Sequence, residues 1–387
     1  MIRGLRSLPG FLLLVSISVF VFQERSEGGD HSSAARVVSI PVTVVDKNGD
    51  YVSGLNSASF SFSAGAHSLL ESVQEIGPLL VGRSKVKVPF LVLDALGSPD
   101  QSVARKECLE LLANSAANGL PISLSEIDHD GLHEIHSVAT SNSILASALL
   151  RLDGESLFLN HRDQLQPIVS TSEDKSLVAA EAEKLRRFRR GSVENANMMN
   201  TLLTQLSALQ QMALALQHVH GRKTVIWLTG YFPIEVNDAE DSLTINGYGI
   251  RSPFPVQSAS IDYQKTIDLL SESQISLFPM QMKWRRETSE TSTVRTPMPF
   301  PETTLGDITT IGLSRIARNT GGELMAPSDT LQNVVQRAED QSTSYYLLKF
   351  QPELIKSDLR WRSLKVELQD KSLKAKSPAG LFLFKLK

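Results

Sequence analysis

The chain holds a single cysteine, Cys108, in 387 residues. No intrachain disulfide can form, and no cysteine follows the N-terminal apolar stretch to carry a lipid anchor. Cys108 sits among Ala104, Leu111 and Leu112 at helical spacing and reads as a small core residue. Aromatic residues amount to only 6%, and the formal net charge is −3 with a pI near 6.3. That balance gives no electrostatic basis for capturing nucleic acid or an anionic membrane. A glycine-rich phosphate loop after a strand is missing, as is a Gly-x-Ser-x-Gly nucleophile elbow. Internal repeats are missing too. What is present is ordinary globular material: 41% apolar and 21% charged residues, with length for two or three domains.

The one long apolar run is N-terminal. Arg3 and Arg6 precede the stretch from Leu8 to Phe22, and a polar segment from Gln23 to Arg36 follows. Basic, then apolar, then polar is the layout of a secretory signal. The run falls short of the roughly 20 residues of a membrane span. No clean small-x-small cleavage site follows it. Residues 1–36 therefore read as a signal peptide or an uncleaved N-terminal anchor, plus linker. The expected location is the periplasm, the cell envelope or outside the cell.

Residues 37–45 are β-branched and predict a strand, and Asp46-Lys-Asn-Gly-Asp50 predicts a turn. In Ser59–Ser63 the alternation puts Phe60 and Phe62 on one face. This β module, residues 37–80, is too small to bury a core of its own. From Val86 strands and helices alternate. Strands are expected at 88–93, 224–228, 275–280 and 322–325. A hairpin is expected at 121–137, and helices at about 100–116, from Ser141, 195–219, 258–272, 304–319 and 328–343. Residues 151–200 read as charged and irregular, with a basic cluster at Arg186–Arg190. That cluster is a solvated helix face or a contact for an acidic partner. Gly221 is expected to close the 195–219 helix. Residues 86–343 thus predict a doubly wound α/β domain with a mostly parallel sheet. Residues 344–387 return to strand patterns, and we expect them to complete the N-terminal module. The α/β domain would then be inserted into a small β-sandwich.

Ligands bind at the carboxyl ends of strands in open α/β sheets. Three loops offer oxygen there: Asp94-Ala-Leu-Gly-Ser98, Thr140 in Val138-Ala-Thr-Ser-Asn142, and Thr229-Gly230. Asp94, Ser98, Thr140 and Thr229 are the candidate binding residues. A hard cation wants about six oxygens and one or two carboxylates, and these loops supply a single carboxylate. The plainer alternative is structural. Asp94 would accept amides of its own loop, Ser98 would cap the helix after Pro99, and Thr140 or Ser141 would cap the next one. A second cluster, Asp128-His-Asp-Gly-Leu-His-Glu-Ile-His136, invites a zinc or catalytic reading. Strand alternation opposes it: His133 and Ile135 share one face, Glu134 and His136 the other, and His129 lies in the turn. A solvated hairpin is the alternative.

Five collinear segments resemble a bacterial family of von Willebrand factor A-related domains known from acidobacterial proteins. They are Ile40-Pro-Val-Thr-Val-Val-Asp46 with Val52-Ser-Gly-Leu55, Leu93-Asp-Ala-Leu-Gly-Ser-Pro99, Gly221-Arg-Lys-Thr-Val-Ile-Trp-Leu-Thr-Gly-Tyr-Phe-Pro233, Ala317-Arg-Asn-Thr-Gly-Gly322 and Tyr345-Tyr-Leu-Leu-Lys-Phe-Gln-Pro352. The resemblance implies a von Willebrand A-like fold with a flanking β module in an exported protein. An A-domain cation site takes a carboxylate and two hydroxyls from the first loop, a threonine from the second and an aspartate from the third. Here Leu96 replaces the first serine, and Thr229-Gly230 stands where an Asp-Gly pair is expected. The resemblance therefore implies a degenerate site, with no bound metal and no cofactor. The expected function is a non-enzymatic protein-binding or scaffold role in the cell envelope. The alternatives are a cation-dependent adhesin using magnesium at Asp94, Ser98 and Thr140, and more remotely an enzyme using the 128–136 hairpin.

Overall fold

A computed structural model of the chain describes residues 38–48, 50–64, 68–76, 80–81, 84–85, 88–96, 101–152, 165, 171–191, 198–219, 221–232, 234–237, 242–245, 256–282, 302–326, 328–342, 344–352 and 361–382. The expectations for residues 1–36 and for Ser98 lie outside them. In chain order the strands and helices begin with β1 (Val38–Val45), β2 (Phe60–Ala64), β3 (Ser68–Ile76), β4 (Leu80–Val81), β5 (Ser84–Lys85) and β6 (Pro89–Asp94). Then come α1 (Ser102–Asn118), β7 (Ser123–Asp128), β8 (Gly131–His136), α2 (Asn142–Arg151), α3 (Ser172–Arg190), α4 (Met198–Leu216) and β9 (Lys223–Thr229). A short hairpin, β10 (Ile234–Asn237) and β11 (Ser242–Ile245), leads to α5 (Val256–Glu272), β12 (Ile275–Gln281), α6 (Glu302–Asn319) and α7 (Leu331–Ser342). The chain ends in β13 (Tyr345–Pro352), β14 (Trp361–Leu368), β15 (Lys374–Lys376) and β16 (Gly380–Phe382).

The apolar runs that predict buried strands form a five-stranded sheet of order β12-β9-β6-β7-β8. The first four strands are parallel and β8 is an antiparallel edge. Side chains alternate across it. Leu91 and Leu93 join Cys108, Leu109 and Leu112 of α1 and the apolar faces of α2, α3 and α7. Val92, Val225 and Trp227 join Leu202, Leu206 and Leu209 of α4, with α5 and α6. A mostly parallel sheet covered on both faces agrees with the doubly wound α/β architecture expected from the sequence. Among the described residues no helix is long and apolar enough to cross a membrane.

Two antiparallel sheets flank it. One has the order β15-β1-β13-β3, the other β16-β14-β2. Strands from the two ends of the chain therefore pair directly: Val42 faces Tyr346, and Phe60 faces Leu368. Both sheets feed one apolar core, with Ile40, Val42, Val44, Tyr346, Leu348 and Phe350 from the first and Phe60, Leu364 and Leu368 from the second. Phe62 packs its ring 4.6 Å from Phe350, and Phe60 lies 5.3 Å from Tyr346.

Three sequence expectations are revised. The stretch 151–200 contains α3, a 19-residue helix. Thr171 and Asp174 cap it reciprocally, and its buried stripe is Val178, Glu181, Ala182, Leu185 and Phe188. The strand expected at 322–325 is a single parallel bridge, Met325 against Met280, with Met325 N donating to Pro279 O at 2.8 Å. Gly221, expected to close α4, instead follows the turn after it and enters β9 with φ +92°.

Candidate functional site

The apolar run of β6 ends at Asp94, and burial of that run carries the carboxylate inside with it: Asp94 is 0% exposed. A buried carboxylate needs donors. Oδ1 accepts from Leu96 N at 3.0 Å, and Oδ2 accepts from the Thr229 hydroxyl at 2.6 Å and from Gln205 Nε2. Thr229 ends the neighbouring strand β9, so parallel register places it beside Asp94. Gln205 comes from the second turn of α4. Its amide also donates to Tyr231 O at 2.7 Å, and Tyr231 N donates back to the Thr229 hydroxyl at 3.3 Å. Ala95 N donates to Ile127 O at 2.8 Å, tying in the end of β7. Three strand ends and one helix are thus joined around one carboxylate. Gln205 Oε1 and Tyr231 Oη are buried and have no hydrogen-bond partner among the described residues.

A second polar chain runs behind this loop. Gln101 precedes α1, and its Nε2 donates to Ala95 O at 2.6 Å and Asp94 O at 3.3 Å. Its Oε1 accepts from Arg105 Nη2 at 2.8 Å. Arg105 also donates to Glu126 Oε1 at 2.5 Å and to Phe188 O at 2.5 Å, with its guanidinium 4.9 Å from the Phe188 ring. Burial pushes the Glu126 carboxyl up, against the opposing pull of Arg105. The first loop, β7 and the end of α3 therefore hold one another in place.

Asp94 and Thr229 meet as neighbours, and Thr140 does not join them. Leu124, near the start of β7, faces His136 at the end of β8, whereas Asp94 faces Ile127 near the end of β7. The chain after β8 is thus at the amino end of the parallel strands. Thr140 stays there in a tight turn, its N–H donating to Ser137 O at 3.0 Å. Asn142, the first residue of α2, lies against Gly119 at the far end of α1. Ser141 caps α2 through Ile144 N at 3.4 Å. The helix side chain that reaches the Asp94 carboxylate comes from α4, and Gln205 is the residue that sequence reasoning missed. Its signal is a glutamine within the apolar stripe Leu202, Leu206, Leu209.

The histidine-rich hairpin turns at the same end of the sheet as Asp94. His129 and Asp130 are exposed and 3.4 Å apart, and one ligand atom each of Asp128, His129 and Asp130 lies within 4.8 Å of the others. His133 Nε2 is 2.8 Å from Asp128 Oδ1. The strict alternation expected for this strand fails at Ile135. The ladder slips between Leu124 and Ser125, so Ile135 and His136 are both buried. His136 Nδ1 meets Glu181 Oε1 of α3 at 2.6 Å. Each of the three imidazoles thus meets a different carboxylate, Asp130, Asp128 and Glu181, and the three do not converge.

No protein-family model and no characterised protein matches the sequence. Among solved structures, the chain is similar to the pilus adhesin SpaC from Lactobacillus rhamnosus GG in its open conformation, at 9% identity and TM-score 0.35, over 82% of this chain and 46% of that one. Proximal thread matrix protein 1 from the mussel byssus matches at 10% identity and TM-score 0.29, over 72% and 50%. Manganese-loaded Plasmodium vivax TRAP protein matches at 9% identity and TM-score 0.28, over 80% and 97%. The chain spans about half the length of the first two. Likeness at these TM-scores carries no argument about fold or function.

Proposed function

We propose that this chain is an exported, non-enzymatic protein-binding or scaffold protein of the cell envelope, and that it docks its partner at the carboxyl end of the parallel sheet without a bound cation. The observation that carries the cation-free part is that both oxygens of Asp94 already accept hydrogen bonds, from Leu96 N, Thr229 and Gln205. The donor set does not suit magnesium: among the described residues of the three loops one carboxylate is available, Leu96 offers no oxygen side chain, and Thr140 is at the other end of the sheet. An ion would have to displace the Gln205 amide and give up its own water, which magnesium does reluctantly. Since Asp94 and Thr229 are buried, their role in this reading is to fix the loop. The partner would touch the surface above, where the exposed turn His129-Asp130 lies. The reading includes an α/β unit, 86–343, inserted into a β-sandwich made by 37–80 and 344–387. Pairing of β1 with β13 and of β2 with β14 supports that arrangement.

The cation-dependent adhesin is the competing reading, and the unpartnered Gln205 Oε1 beside Asp94 is what favours it. Titration calorimetry with magnesium and manganese separates the two. Saturable one-to-one binding by the unmodified protein rejects the cation-free reading. Partner capture from envelope extract should persist in EDTA and fall with Asp130→Lys. Retention unaffected by that change rejects docking at this end. A fusion of residues 1–40 to an export-dependent reporter should be active outside the cytoplasm.

A further inference from the structure

Arg222 enters β9 with only 4% of its surface exposed. Its guanidinium reaches four separate segments. Nε donates to Ser276 Oγ of β12 at 2.7 Å, and Nη2 donates to Gly321 O, in the turn after α6, at 2.6 Å. Nη1 donates to Thr43 Oγ1 of β1 at 2.6 Å and lies 3.4 Å from Gln341 O near the end of α7. The Thr43 hydroxyl passes its own hydrogen to that same Gln341 carbonyl at 3.0 Å. Tyr345, the first residue of β13, places its ring 6.0 Å from the guanidinium carbon. Every one of these acceptors is neutral. Among the described residues no carboxylate accepts from Arg222, and burial lowers its pKa to about 10.

A buried cation without a counter-ion is a poor device for stability alone, since an apolar side chain of similar volume often does as well or better. A rigid planar fork with several donors is a good device for fixing segments relative to one another. β1, reached through Thr43, and β13, met by the Tyr345 ring, both belong to the antiparallel sheet β15-β1-β13-β3. The rest belong to the parallel sheet and its helices. We propose that Arg222 is a clamp that couples the antiparallel sheets to the α/β unit, so that the two open as one body. This rests on the reading that the antiparallel sheets form a unit of their own.

Hydrogen exchange on the full chain tests it, comparing wild type with Arg222→Met and Thr43→Val. Thr43→Val removes only the hydroxyl through which β1 meets Arg222 and Gln341, so it serves where Arg222→Met fails to fold. In wild type, amides of β1, β2, β13 and β14 should exchange with the same protection as those of β6 and β9. In the variants the first group should exchange at least about tenfold faster while β6 and β9 hold, a gap corresponding to local rather than global opening. Equal acceleration in both groups, or none in either, overturns the clamp. Acceleration of β1 and β13 with β2 and β14 unchanged keeps the clamp and instead rejects the shared unit.

Discussion

Gln205 Nε2 donates to Asp94 Oδ2 across a sequence separation of 111 residues. A neutral amide on α4 thereby supplies the positive end of a dipole to a carboxylate with no exposed surface. Gln205→Ala leaves that oxygen short of a donor, and the unfolding free energy should fall by about 1–3 kcal/mol. Gln205→Glu puts a second carboxylate against the first. Its melting temperature should be lower at pH 7 than at pH 5, and manganese should raise it by supplying the missing charge. An unchanged stability in both variants would remove Gln205 from its place as the partner of Asp94.

The parallel core is legible in the sequence because its signals are local. The runs at 88–93, 224–228 and 275–280 are apolar enough to be buried on both faces, and Leu202, Leu206 and Leu209 keep helical period. The site is less legible because it depends on direction. Thr140 follows a strand, which suggested a carboxyl-end loop. The Asp128–Gly131 turn makes β8 antiparallel, so the end of β8 is the opposite end of the sheet. The helix α3 was obscured by Glu181 within its apolar stripe, a charge that the fold satisfies with His136.

The Thr-Gly-Gly segment 320–322 has a steric explanation. A Cβ on Gly322 would lie 1.8 Å from Leu277 O, in the backbone of β12. Thr320 Oγ1 accepts from Leu277 N at 3.1 Å in the same crossing. Gly322→Ala must push α6 off the sheet and should cost at least about 3 kcal/mol, beyond the usual range for overpacking. Gly54→Ala is the control. Nothing lies within 4 Å of its Cβ position, and only φ of +79° opposes the change, so about 1 kcal/mol is expected. Chemical denaturation that ranks Gly54→Ala as the worse of the two would contradict this account.

Tyr346 connects two segments that are far apart in the chain. Its hydroxyl donates to Val52 O at 2.8 Å and accepts from Leu55 N at 3.1 Å. Tyr51 stacks on its ring at 5.8 Å. The Val-Ser-Gly-Leu loop is thus held by the C-terminal strand β13. Tyr346→Phe should cost about 1–2 kcal/mol and speed amide exchange at Leu55 before it affects β9. Removing residues 344–387 should leave β1 without β13 and β2 without β14, and unpaired edges aggregate. Native-like amide spectra for β1 and β2 in the truncated chain would count against the pairing.

Lys223 gives a pH dependence of definite sign. Its side chain is 2% exposed, with Nζ donating to Val219 O at 2.8 Å, and burial lowers its pKa from 10.5 to about 8. Between those values the unfolded chain holds a proton that the folded chain has released. Stability should therefore rise as pH climbs from about 8 toward 10.5. Below pH 8 both states are protonated, and the penalty of the buried charge is constant. Cys108, pushed up from 9.0 to about 12 by burial, and Tyr345, pushed up to about 12 by burial, act in the other direction once the unfolded thiol ionises near pH 9 and unfolded tyrosine above pH 10, so the Lys223 contribution is read as a difference from a variant lacking the amine, in which those groups cancel. Lys223→Met removes the titrating group. Relative to wild type the variant should gain most at pH 7 and lose that advantage by pH 10. The change should be on the order of 1–2 kcal/mol. Urea midpoints for both proteins across this range measure it. A difference between them that does not vary with pH would mean that Lys223 does not titrate in the folded state as its burial requires.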